Sequence, residues 1–290
     1  MSVEPSIVLV TGASSGIGAA TATYLAARGF RVFGTSRRPP SRAPEFTWLA
    51  MDVRDEVSVA AAVARVLGDG GRIDGLVCNA GMGIFGSVEE VSTARAREQF
   101  ETNVFGVMTV TRALLPTMRA AGRGRIVVLS SAGGIAGMPS ISAYSAAKGA
   151  LERWAEALAY EVAPFGLGVT ILMVGMFKTD ILTDQTPHHG DPTGPYAAHY
   201  AEIDRRGRAM VRLAGPPERF ARALARALDE HAPFARHAVG WDARMLLFAN
   251  RFLPARVLRG VIRLAMGLPR RGALREHAVP QKETHDAVVR

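Results

Sequence analysis

The chain has 290 residues, 48% of them apolar and 21% charged, a balance that suits one soluble globular core. Its 35 basic residues outnumber 26 acidic ones for a net charge of +9, but the arginines are scattered and no aromatic-interleaved basic patch or zinc-finger spacing appears, which argues against nucleic acid. No apolar run approaches the ~20 residues of a membrane span, the opening Met-Ser-Val-Glu-Pro-Ser lacks signal-peptide character, and the lone Cys78 excludes an internal disulfide and fits a reducing, cytoplasmic setting.

Short β-branched runs alternate with longer alanine-rich stretches. Ile7–Thr11 reads as the first strand and 16–28 as the helix after it. Strands at 31–35 and 47–51 lead to a helix over 55–67, then the strand Gly75–Cys78. One long helix over 92–120, a strand at 126–130, a helix over 143–163 and a strand at 169–174 complete the series. This alternation predicts a parallel sheet covered on both faces. Cys78 reads as a small buried hydrophobe within it. Gly12, Gly81, Gly133 and Gly175 follow strand C-termini, where open α/β sheets bind ligands. The pattern breaks over about 180–213, which reads as a mobile lid. Pro216-Pro217 opens a helix over 216–231, and a short last strand is expected near 237–240. Residues 1–240 thus form one domain. Residues 241–290 add two basic amphipathic helices split at Pro254, which can pack on the domain, on a second subunit or on a membrane surface.

Thr11-Gly12-Ala13-Ser14-Ser15-Gly16-Ile17-Gly18 joins the first strand to the first helix. Glycines there let the backbone approach a pyrophosphate, and the helix N-terminus offers N–H donors. The spacing is not Gly-x-Gly-x-x-Gly, and no Lys-Ser/Thr follows as a P-loop needs. Tyr144 and Lys148 stand four residues apart, on one helix face. A nearby cation lowers a phenol's pKa from ~10 and fits it for proton transfer. Of the 35 basic residues only Lys148, Lys178 and Lys282 are lysines, so position 148 keeps a compact ammonium against a strong arginine bias. His188-His189 has no acidic or thiol partner at useful spacing, and no metal site is expected.

Together with Asp52-Val53, Asn79-Ala80-Gly81, Asn103 and Ser131, these motifs resemble the short-chain dehydrogenase/reductase family, compact single-domain type, over residues 6 to about 240. The resemblance implies an α/β fold: a Rossmann-type doubly wound parallel sheet with helices on both faces, here with a helical C-terminal extension. It implies that Tyr144 protonates a ketone oxygen as hydride arrives from nicotinamide, or takes the proton in reverse. Lys148 would lower the phenol's pKa and hold the nicotinamide ribose. Ser131, thirteen positions before Tyr144, would donate to the substrate oxygen, with Ser130 the weaker choice. Asn103 would hold a water linking Lys148 to solvent, or merely bend its helix.

For the cofactor, the resemblance implies that Gly12, Ser14, Ser15, Gly16, Ile17 and Gly18 line the phosphate turn and that Asn79, Ala80 and Gly81 flank the dinucleotide. Asp52 would accept from the adenine amino group, with Val53 supplying its backbone, or would cap the next helix. Ser36-Arg37-Arg38 at the end of the second strand brings no carboxylate for a ribose 2′-hydroxyl, whereas arginine binds a 2′-phosphate. NADP(H) is therefore expected over NAD(H). After the sixth strand the family's Pro-Gly is replaced by Val174-Gly175, which removes a φ restraint but no catalytic group. Gly175 is kept, as is Thr179, expected on the nicotinamide carboxamide.

Gly133, Ile135, Met138, Pro139, Met176 and Phe177 are expected around Ser131 and Tyr144 in the substrate pocket. Their apolar character points to a hydrophobic ketone, aldehyde or alcohol. By resemblance the chain forms a homodimer or homotetramer through helices near 103–120 and 145–163. The competing reading is a non-catalytic nucleotide-sensing or membrane-surface protein on the same fold, which has no need of Ser131, Tyr144 and Lys148 together.

Overall fold

The structure, a computed structural model, describes residues 5–177 and 189–273. The apolar runs form β1 (Ile7–Thr11), β2 (Arg31–Ser36), β3 (Thr47–Ala50), β4 (Gly75–Cys78), β5 (Gly124–Ser131), β6 (Leu167–Val174) and β7 (Phe234–Val239). They pair in parallel as one seven-stranded sheet of order 3-2-1-4-5-6-7. The chain's direction of travel across the sheet reverses between β1 and β4, the switch point at which such sheets bind ligands. β1 is buried over its whole length because both faces of the sheet are covered. The last strand starts at Phe234 rather than near 237: its register pairs Phe234 with Val169 and Val239 with Val174, so the length of β6 sets it.

The intervals hold α1 (Gly16–Ala26), α2 (Glu56–Gly70), α3 (Thr93–Phe100), α4 (Gly106–Ala121), a single turn α5 (Ala132–Ile135), α6 (Ser142–Val162), α7 (Ala197–Val211) and α8 (Pro217–Leu228). α2, α4 and α6 cover one face, where Leu9, Leu76, Ile126, Val169 and Leu151 meet. α1 and α8 cover the other, with Val10, Val127, Leu172, Phe220 and Leu224. Each fully buried aliphatic of this kind contributes about 1.5–3 kcal/mol.

Local chemistry sets the helix ends. Asp55, not Asp52, caps α2: its side chain accepts from the N–H groups of Val57 and Ser58, and Gly71 closes the helix at φ 76°. The single helix expected over 92–120 is instead α3 and α4 joined by a π turn, Glu101–Phe105, in which the Gly106 N–H donates to the Glu101 carbonyl. Beyond β7, α9 (Trp241–Phe252) and α10 (Ala255–Ala265) divide at Pro254 and pack on α5, β7 and each other. Among the described residues, no helix is long and apolar enough to cross a membrane.

Candidate active site

The strand C-termini bring the expected residues to one edge of the sheet. After β1, Gly12 and Gly16 take φ +70° and +56°, which a side chain strains to adopt. A Cβ on Gly18 would lie 2.2 Å from the Gly12 carbonyl oxygen, so only glycine fits. Asn79, just past β4, braces the turn: its amide donates to the carbonyls of Thr11 at 2.8 Å and Gly12 at 3.0 Å. The Thr11 hydroxyl accepts from the N–H groups of Asn79 and Ala80. Ser15, at the N-cap of α1, makes no side-chain capping bond. A bare glycine cradle opening a helix fits a pyrophosphate.

Across the edge, Ser131 caps α5, accepting from the Gly133 N–H at 3.2 Å, and its hydroxyl stands near that of Tyr144. A Cβ on Gly133 would stand 3.5 Å from the Tyr144 ring. Tyr144 is half-buried, and desolvation raises its pKa while the Ser131 hydroxyl opposes the rise. The expected depression by Lys148 is therefore corrected: desolvation is the larger effect. Lys148 is 6% exposed and donates from Nζ to the Leu129 carbonyl at 2.6 Å. Its Nζ lies 5.7 Å from the centre of the Tyr144 ring. Burial brings its pKa down to about 8, partly offset by Cys78 and Glu152. Cys78 itself is buried, its thiol pushed up to about 12 by desolvation.

Ser130, the alternative serine, donates to the Glu152 carboxylate at 2.5 Å, and Glu152 pairs with Arg236 of β7. Ser130 is thus committed beneath the sheet edge, and Ser131 is the serine at the tyrosine. Glu152 lies one helical turn beyond Lys148. The period Tyr144, Lys148, Glu152 signals it in the sequence, but an acidic residue on an apolar helix face passes there for a surface residue.

The Asn103 amide donates to the Met82 carbonyl and accepts from the Met82 N–H, both at 2.8 Å, so its side chain pins the loop after β4. Gly81 lies against it. At the end of β2, the Ser36 hydroxyl donates to the Arg38 carbonyl at 2.6 Å and accepts from the Trp48 indole at 2.8 Å. Ser36 therefore shapes the turn, while Arg37 and Arg38 are exposed. Asp52 is held by Arg54, whose guanidinium and N–H lower its pKa. Val53 is buried against Gly106.

In the expected substrate region, Met138 donates from its N–H to Ser145, Ile135 packs partly on the core, and the Met176 N–H donates to Asp242 of α9 at 2.7 Å. Gly175 faces the same carboxylate. Phe177 is corrected: it is 2% exposed and packs edge-on against Phe220, a core residue rather than a pocket wall. Lys178, Thr179 and His188 lie outside the described residues. Among the described residues, no group of His, Cys, Asp and Glu could hold a metal. The region of α7, where a lid is expected, is anchored by residues that sequence reading misses. Tyr200 of α7 accepts from the Ser87 N–H at 2.7 Å and donates to Glu90, and Tyr196 donates to Glu89 at 2.7 Å. Gly86 in turn donates to the Ser140 carbonyl, just ahead of Tyr144. A cleft of about 530 Å³ opens at the opposite edge of the sheet, among Arg72, Asp74, Arg123 and Glu230, and shares no residue with this site.

Known proteins resemble this chain in sequence and fold. The family pattern described as short chain dehydrogenase matches residues 6–190. A 3-ketodihydrosphingosine reductase of Bacteroides thetaiotaomicron is 44% identical over 176 residues, 61% of this chain and 65% of that one. Human 17-beta-hydroxysteroid dehydrogenase type 1 is 38% identical over 192 residues, 60% of this chain and 57% of that protein. The chain thus spans less than two thirds of the length of both. A short-chain dehydrogenase structure from Streptomyces avermitilis superposes with a TM-score of 0.76 at 38% identity, over 93% of this chain and 100% of that one. The chain belongs to the short-chain dehydrogenase family of oxidoreductases.

Proposed function

We propose that the chain is an NADP(H)-dependent oxidoreductase that interconverts a hydrophobic ketone or aldehyde with its alcohol, using Tyr144 as the general acid/base. The observation that carries this reading is the Ser131–Tyr144 hydroxyl pair beside buried Lys148, on the same sheet edge as the glycine cradle. When bound, the dinucleotide supplies or accepts the hydride. Ser131 and Tyr144 both present hydroxyls to a substrate oxygen, and their hydrogen bonds strengthen as that oxygen becomes an alkoxide. Tyr144 keeps its proton at neutral pH because burial raises its pKa, so it serves as the acid for reduction. Lys148, buried one helical turn away, is the donor assigned to the nicotinamide ribose.

Arg37 and Arg38, exposed where β2 ends without a carboxylate, support a 2′-phosphate and hence NADP(H). Thr179 is assigned to the carboxamide from the sequence alone. The substrate class rests on apolar Ile135, Met138 and Met176, and on relatives named for a ketodihydrosphingosine and a hydroxysteroid, both lipophilic. Self-association through α4 and α6 is part of the same reading, with Phe105 and Tyr160 exposed on that side.

The test is an NADPH-consumption screen over lipophilic ketones and aldehydes, repeated with Tyr144→Phe. The variant is expected to lose at least ~100-fold in kcat while still binding NADPH, the scale of a general acid's contribution. Full activity in Tyr144→Phe would refute the assignment.

A further inference from the structure

α9 and α10 each carry an apolar stripe that the described chain leaves open to solvent. On α9, Trp241, Met245, Phe248 and Phe252 recur at helical spacing, with Met245 63%, Phe248 66% and Phe252 62% exposed. Val257, Val261 and Leu264 repeat the pattern on α10. The rings of Phe248 and Phe252 lie 4.6 Å apart and form one ridge. The buried contacts of the two helices fall elsewhere, at Ala243 and Leu258. Single exposed apolar residues are ordinary on a monomer, but a contiguous ridge across two helices marks an interaction surface.

Charge identifies the partner. Residues 241–273 contain seven arginines and one acidic residue, Asp242. That carboxylate is turned inward onto the Met176 N–H, so the outer surface is basic. Arg256, Arg259 and Arg263 follow one another at helical spacing on α10, beside the apolar stripe. Two copies of so basic a face repel each other, whereas an anionic lipid surface complements both its charge and its apolar ridge.

We infer that the α9–α10 face docks on an anionic bilayer surface, with the aromatic ridge at the acyl–headgroup boundary and the arginines among lipid phosphates. The docking element adjoins the site. Asp242 fixes the strand end at Met176, and Arg206 of the lid helix α7 donates to the α10 carbonyls of Leu264 at 2.6 Å and Ala265 at 3.1 Å.

The test is flotation of the full-length protein with phosphatidylcholine vesicles, with and without phosphatidylserine. Anionic vesicles are expected to bind at least ~10-fold more protein at about 0.1 M salt, with most of that excess lost at about 1 M. Phe248→Ser/Phe252→Ser and Arg256→Glu/Arg259→Glu are each expected to reduce binding at least ~5-fold at unchanged melting temperature, since all four side chains are exposed. Failure of the wild-type protein to bind anionic vesicles overturns the inference. So does a concentration-dependent dimer that Phe248→Ser/Phe252→Ser abolishes, which would assign the ridge to a second copy. Flotation is read without turnover: an inactive protein that floats leaves the docking intact, and an active one that does not float refutes docking alone.

Discussion

Lys148 shows how the burial of one residue ties stability to pH. Burial lowers its pKa from 10.5 to about 8, so the native state releases this proton before the unfolded state does. Between those values the unfolded chain binds more protons, and the lysine's contribution to stability rises with pH. The full difference is on the order of 3 kcal/mol. Urea unfolding is expected to show wild type gaining on Lys148→Met from about pH 8 to about pH 10, with the two running parallel below about pH 7. Parallel lines throughout would mean that the lysine titrates as in the unfolded chain. Arg37 carries a second residue-scale expectation. Arg37→Asp removes a cation and adds a carboxylate where β2 ends, and should cut the NADPH/NADH ratio of kcat/KM by at least ~10-fold, on the scale of a charge-assisted bond. An unchanged ratio would remove Arg37 from the phosphate site. That Tyr144, Lys148 and Ser131 come together is legible in the sequence, because their residue types and spacing mark them as a set. The surroundings of Ser36, Asp52 and Phe177 are not, because a neighbour decides each: Trp48 engages the hydroxyl, Arg54 the carboxylate and Phe220 the ring.

At the scale of elements, the alternation of strands and helices is legible because burial on both faces makes the central strands β1, β4 and β6 nearly continuous apolar runs. The π turn at Glu101–Phe105 is not, since hydrophobic periodicity records which face is buried and not whether one turn closes i→i+5. The interruption of the alternation after β6 is legible, but the anchorage of α7 is not. Tyr196 and Tyr200 look like ordinary helix residues until the loop after β4 presents Glu89, Glu90 and the Ser87 N–H. Tyr200→Phe removes the acceptor for a partly buried N–H and the donor to Glu90, about 1–3 kcal/mol of local holding. Because α7 stays tied to α10 through Arg206, the expected result is a raised KM with kcat and melting temperature little changed. Steady-state kinetics beside a thermal melt would check it, and a fall in kcat at constant KM would count against a lid role.

Across the whole molecule, Ser130, Glu152 and Arg236 join β5, α6 and β7 beneath the site, so the sheet's last strand is held by charge as well as by its ladder. The pair is asymmetric: the Glu152 side chain is 1% exposed and that of Arg236 28%. What a mutation leaves behind therefore decides its effect. Arg236→Ala strands a carboxylate in the core, a loss of about 3–5 kcal/mol, whereas Glu152→Gln leaves a guanidinium that can turn to water, for about 1–3 kcal/mol. Urea titrations of both variants separate the cases. Equal losses in the two variants would show that the network is held by its hydrogen bonds rather than by the charge that Arg236 neutralises.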